Sequence, residues 1–138
     1  MLLDEIATRL IAQSVGGLPG STAASTSGTG WTIWSRQLGP TPDQSIAIVP
    51  TGGFQREDRA FVDRPTFQIV VRAGKDTSSS LETKVAAVDA ALNAFDGTLS
   101  SRVYVDINRQ GDYLWLGRDE NGRPMYSLNY LAHRSRTT

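Results

Sequence analysis

His133 is the sole histidine of the chain, and there is no cysteine. Structural and catalytic zinc sites draw on several His, Cys or carboxylate ligands, so one imidazole without a thiolate makes a poor metal site. Nucleophilic catalysis needs a nucleophile, a base and an orienting group close in space, and His133 supplies one member of that set. It therefore reads as a structural or interface residue at a strand end. Asp119-Glu120-Asn121-Gly122 has some oxygen donors of a calcium loop. The remaining ligand spacing and the closing Glu are missing, so it reads as a solvated turn. Gly28-Thr29-Gly30 and Gly52-Gly53 lack the Lys-Ser/Thr ending and the following helix pattern of a phosphate loop. No catalytic residue, metal ligand or cofactor is assigned.

Binding chemistry is also sparse. Fourteen Lys and Arg balance fourteen Asp and Glu. A net charge of zero argues against a protein that works mainly by neutralising phosphates, and gives little electrostatic protection against self-association. Arg134 and Arg136 could touch a nucleic-acid backbone, but such binding needs a wider basic patch, so a solvated tail is the better reading. Trp31, Trp34 and Trp115 could stack on bases, yet large aromatics serve more often as core or interface anchors. Without cysteine there are no disulfides. The start Met1-Leu2-Leu3-Asp4-Glu5 lacks the basic opening and apolar run of a signal peptide, and no apolar run is long enough to span a bilayer. A soluble protein made in a cytoplasm is expected, with no membrane partner.

The elements that position these residues are legible in outline, and the length fits a single domain. Leu3, Ile6, Ala7, Leu10 and Ile11 make one face of a helix over 2–14, with Asp4, Glu5, Thr8 and Arg9 pointing elsewhere. Gly16 and Gly17 end it. Leu18 to Gly30 is a Ser/Thr/Gly/Ala-rich flexible connector. Strands follow at Trp31–Leu38 and Ser45–Val49. Pro50 to Pro65 reads as a long loop that mixes charges with Phe54 and Phe61, and loops of that length are usually functional. Thr66–Arg72 alternates as a strand with Phe67, Ile69 and Val71 inward. Ser79 and Glu82 are spaced as a capping box, opening a helix whose stripe is Leu81, Val85, Val88, Leu92 and Phe95, ended by Asp96-Gly97. Arg102–Asn108 predicts a strand with Val103, Val105 and Ile107 inward and Tyr104 outward. Tyr113 to Arg134 reads as a hairpin about the turn Gly117–Pro124, with Tyr126, Leu128, Tyr130 and Ala132 on one face, followed by a polar tail from Arg134. The expected class is α+β: a mostly antiparallel or mixed sheet of about five to six strands with helices packed against one face.

Four pieces in this order carry a family resemblance: the first helix over 2–14, DRPTFQIVVRA (Asp63–Ala73), the amphipathic helix Leu81–Phe95, and LGRDENGRPMYSLNY (Leu116–Tyr130). They cover about two fifths of the chain, mostly its C-terminal part, and the chain resembles the siphophage tail terminators, also called tail completion or minor capsid proteins. The resemblance implies a non-enzymatic virion protein at the head-proximal end of the tail. Such proteins form a ring, usually a hexamer, on the last ring of tail tube protein and halt tube growth. They present a surface to the head-completion and connector proteins, while DNA passes through the central channel without specific binding. On this reading Pro50–Pro65 is the main assembly loop. Arg56, Glu57, Asp58, Arg59, Asp63 and Arg64 would pair across subunits or with the tube, with Phe54 or Phe61 as anchor. Arg118, Asp119 and Arg123 of the hairpin turn would face a neighbour or the channel. The alternatives are a head-completion or stopper protein of the phage neck, a small hydrolase or ligand-binding domain using Asp106, Asp119 or His133, and a single-stranded nucleic-acid binder.

Overall fold

The structure, a computed structural model, describes residues 2–18, 31–40, 43–57, 62–75 and 79–135. In chain order the elements are helix α1 (Leu2–Ala12), strands β1 (Thr32–Ser35), β2 (Ser45–Glu57) and β3 (Val62–Arg72), helix α2 (Ser79–Leu92), and strands β4 (Gly97–Leu99), β5 (Arg102–Arg109), β6 (Leu114–Arg118) and β7 (Pro124–Ser135). The strands form one sheet in the order β1-β2-β3-β7-β5-β4, with β6 also paired to β7. Only the β1–β2 pair is parallel, so the sheet is mixed. Strand β7 is its hub. One side meets β3 along its whole length, and the other is shared between β5 and β6.

The period-2 patterns become one apolar face. Ile46 lies opposite Val71, Ile48 opposite Ile69, Ile69 opposite Leu128 and Phe67 opposite Tyr130, all fully buried. Phe67 and Tyr130 stack at 5.4 Å between ring centroids. The α1 side chains Leu3, Ile6 and Leu10 and the α2 side chains Leu81, Val85, Val88 and Leu92 join the same core cluster. Burying the α2 stripe contributes on the order of 8 kcal/mol at roughly 2 kcal/mol per side chain, an upper bound because unfolded chains already hide some surface.

Several expectations are corrected. Within the loop expected at 50–65, residues 50–57 belong to β2 and residues 62–65 to β3, and the two strands pair as a long hairpin, while 58–61 lie outside the described residues. The β3 arm is held because β7 runs to Ser135 and offers partners to Val62 and Asp63. A bulge between Pro50 and Gly52, with Gly52 and Gly53 at φ 99° and 148°, carries β2 past its proline. The polar tail starts later than expected, since Arg134 and Ser135 belong to β7, while Arg136 lies outside the described residues. The connector expected at 18–30 falls outside them as well, apart from Leu18. In β5, Tyr104 is buried whereas Val103 and Val105 are 51 % and 58 % exposed. A bulge between Tyr104 and Asp106 is the reason: one extra residue reverses the faces, so Tyr104 and Ile107 both point into the core. Helix α2 stops at Leu92, because Ala94 turns left-handed (φ 64°) and gives its amide to Ile107 O at 2.7 Å. Phe95 still packs against the core, from the following loop.

Candidate functional site

The turn between β6 and β7 is built around Asp119. Its Oδ1 accepts the amides of Asn121 and Arg123, both at 2.9 Å, and its Oδ2 accepts Nε of Arg123 at 2.7 Å. Partial burial works to raise the Asp119 carboxyl's pKa. The Arg123 amide and guanidinium and the Asn121 amide outweigh that burial and hold it below the ordinary carboxylate value. Arg123 is itself buried, and its Nη1 reaches Pro40 O at 2.7 Å and Asp43 Oδ1 at 3.3 Å. Arg72 closes on the same connection from β3, donating to Gly39 O at 2.8 Å and Asp43 O at 3.0 Å. Two arginines therefore pin the connection between β1 and β2 beneath the hairpin turn. Arg118 stays exposed and donates to Gly122 O at 2.8 Å. Of the three turn residues expected to meet a partner, Arg123 is spent on the fold, Asp119 orients it, and Arg118 faces solvent.

The hairpin residues are placed far from that turn. On the backbone, Phe54 lies opposite Arg64 and Glu57 opposite Val62, with Arg56 between them on β2. Asp58, Arg59 and Phe61 lie outside the described residues. Asp63 lies opposite Arg134, and its Oδ2 meets Nη2 of Arg102 at 3.3 Å. Asp63 thus sits near one end of β7 and Arg118, opposite Pro124, at the other. Ten residues of strand separate these levels, roughly 30 Å. The two groups cannot meet in one subunit.

A buried polar knot joins α1, β5 and β7. Glu5 is 1 % exposed, and its Oε1 accepts the Tyr104 hydroxyl at 2.6 Å and Nη1 of Arg134 at 3.1 Å. Burial and the hydrogen bond to Glu5 push the Tyr104 hydroxyl pKa well up, so it remains a neutral donor. Glu5 was expected on the outer face of the first helix, and the structure turns it inward because Arg134 and Tyr104 are there to receive it. His133 pairs with Asp106 at 2.7 Å across the β5–β7 ladder. Among the described residues no group of three His, Cys, Asp or Glu side chains could hold a metal ion.

What the sequence reading missed is an apolar edge. Tyr113, Leu114, Trp115 and Leu116 are 37 %, 55 %, 50 % and 42 % exposed. Four large apolar residues in a row cannot all point to one face of a strand, and that run was the available signal. Trp115 rests edge-on against Tyr126 at 5.3 Å. Beside them a groove of about 270 Å³ is lined by Glu82, Val85, Tyr113 and Tyr126. Asp106, Asp119 and His133 are not among its lining residues.

Taken together, this is a small mixed-sheet domain whose ionic groups tie its own segments together and most of whose exposed large apolar residues lie on β5 and β6, the makeup of a protein that works by contact. Residues 36–136 match the model of the bacteriophage tail terminator protein family, and the chain belongs to that family. It is a structural protein of the phage tail. No curated protein matches it. Its fold is similar to that of a chain in the virion of a native gene transfer agent particle, with a TM-score of 0.69 and 17 % identity over 97 % of this chain and 94 % of that one. No helix among the described residues is long and apolar enough to cross a membrane.

Proposed function

We propose that copies of this protein close into a ring, a hexamer, on the last ring of tail tube protein. The ring ends tube polymerisation and forms the joint to the head-completion and connector proteins. Genome DNA passes through the channel, and the zero net charge of the chain suits passage without tight phosphate binding. Synthesis takes place in the host cytoplasm, and the working position is the head-proximal end of the tail. The observation that carries this reading is the family match, which runs from just after β1 through β7. The long β2–β3 hairpin, with Phe54, Arg56, Glu57, Asp63 and Arg64, is the assembly arm on this reading, and Arg118 is the residue of the opposite turn left to meet a neighbour.

The competing assignment within the phage neck is a head-side stopper. Tails isolated from a mutant that makes no heads decide between them. A terminator remains bound to those tails, and tails made without it grow past their normal length. Recovery of the protein on heads from a tailless mutant, with tails of normal length in its absence, overturns the proposal.

A further inference from the structure

The sheet has five margins, and three of them are protected. The outer edge of β1 is met by Gly17, whose amide bonds Trp31 O at 3.0 Å and whose carbonyl accepts Ile33 N at 2.8 Å. Strand β4 is three residues long. The outer edge of β5 is covered by β4, then by Ala94 and Phe95 through Ile107, then by Asn93 Oδ1, which accepts Arg109 N at 2.9 Å. Shortness and coverage are the usual ways a protein keeps an edge from pairing.

Strand β6 has neither protection. It pairs with β7 alone, with one bulge at Leu116 between Trp115 and Gly117, and the run from Tyr113 to Leu116 contains no charge and no proline. One other long edge is uncovered. Strand β1 ends its pairing at Ile48, yet β2 continues to Glu57, so its outer side from Val49 onward has no neighbouring strand among the described residues. Pro50 and the bulge at Thr51 blunt the start of that edge, and a second register shift falls between Phe54 and Glu57, so Thr51–Glu57 offers an uncovered but bent edge. The two uncovered edges lie on opposite margins of the same sheet, with β3 and β7 between them.

Resting on the ring reading above, we infer that the occupant of β6 is a second copy of this chain: the β6 edge of one copy pairs with the outer edge of β2, Thr51–Glu57, of the next. Joining opposite margins is a head-to-tail contact, the kind that closes a ring, whereas β6 on β6 would give a two-fold dimer and stop there. Backbone pairing supplies the affinity of such a joint, and the leucines and Trp115 supply its apolar contact. The size of the patch sets its strength. At their stated exposures the four residues present on the order of 400 Å², about half of what each partner gives to a standard stable interface. One joint alone therefore holds weakly, and a closed ring, in which every copy makes two, holds far better.

The absence of cysteine permits a clean test. Full-length protein carrying both Thr51→Cys and Leu116→Cys is allowed to terminate tails and is then treated with a short bismaleimide. The expected result is a ladder of covalent oligomers that ends at ring size, with neither single variant linking. A dimer from Leu116→Cys alone overturns the inference in favour of two-fold pairing. A double variant that sits on the tails as an oligomer yet never links overturns it while leaving the ring reading standing. A single copy per tail overturns the ring reading itself. As a second measurement, Leu116→Lys, at an exposed position, should fold normally and enter tails roughly tenfold less well. Incorporation equal to the parent protein counts against the β6 edge.

Discussion

Arg134→Met probes the polar knot at the point where sequence and structure disagree most. Methionine keeps much of the arginine stem and removes the charge that lies 3.1 Å from the buried Glu5 carboxylate. Breaking a buried ion pair from one side costs about 3–5 kcal/mol. The Arg134 side chain is 13 % exposed and Glu5 keeps the Tyr104 hydroxyl, so solvent and that hydrogen bond reduce the loss to about 2–3 kcal/mol. For a chain of this length that lowers Tm by about 6–12 °C. Calorimetry or urea unfolding followed by tryptophan fluorescence reads the change. Adding Glu5→Gln to the variant should restore part of the loss, because a neutral amide replaces a carboxylate stripped of that cation. If Arg134→Met falls within about 0.5 kcal/mol of the parent, the range of a surface substitution, the buried knot does not exist and Arg134 belongs to a solvated tail after all.

Gly39→Ala should cost about 1–3 kcal/mol, since a Cβ there would lie 2.3 Å from the Trp34 ring, whose Nε1 is bonded to Ser45 Oγ; a shift in Trp34 emission should accompany the loss. Ala94→Gly should stabilise the protein by about 0.5–1 kcal/mol, because the left-handed backbone at φ 64° strains a side chain; an unchanged urea midpoint counts against that geometry. Asp119→Asn carries a pH signature. The Asp119 pKa is depressed in the fold, so its stabilisation is present above its unfolded value of about 3.9 and is lost as pH falls through the folded value. The variant should therefore be less stable than the parent at pH 7, and the gap should narrow as pH falls below the unfolded value of about 3.9 in urea titrations; a gap that stays constant argues against the Asp119–Arg123 clamp.

Much of the scaffold was readable because its signals are local. The α2 stripe, the alternation of Phe67, Ile69 and Val71, and the row Tyr126, Leu128, Tyr130 and Ala132 need only a period and a face. What escaped depends on partners distant in sequence. Glu5 reads as a first-turn surface acid until Arg134, 129 residues later, comes beside it. The faces of β5 were reversed by a single bulge, which no alternation pattern reveals. The β4–β5 turn was missed because Ser100 and Ser101 occupy positions with φ 49° and 71°, where Asn or Gly would have announced a tight hairpin. Residues 50–65 looked like a loop because charge and glycine dominate them, yet strand pairing is decided by the neighbour on offer, here the far end of β7. At the candidate site the hairpin turn was located correctly. The burial of Arg123 against Pro40 and Asp43 was not visible, since nothing in the sequence says which segment will lie beneath a turn.

The position of β7 has a consequence for when a copy becomes fit for use. Every strand it touches precedes it in the chain, and without it β1-β2-β3 and β4-β5 are separate pieces with no ladder between them, while β6 has nothing to lean on. A polypeptide cut before Pro124 therefore holds its sheet in pieces and leaves β6 without a pairing partner. On the ring reading proposed above, such a molecule would lack the edge that holds a neighbour, so damage to β7 alone would keep it out of the particle.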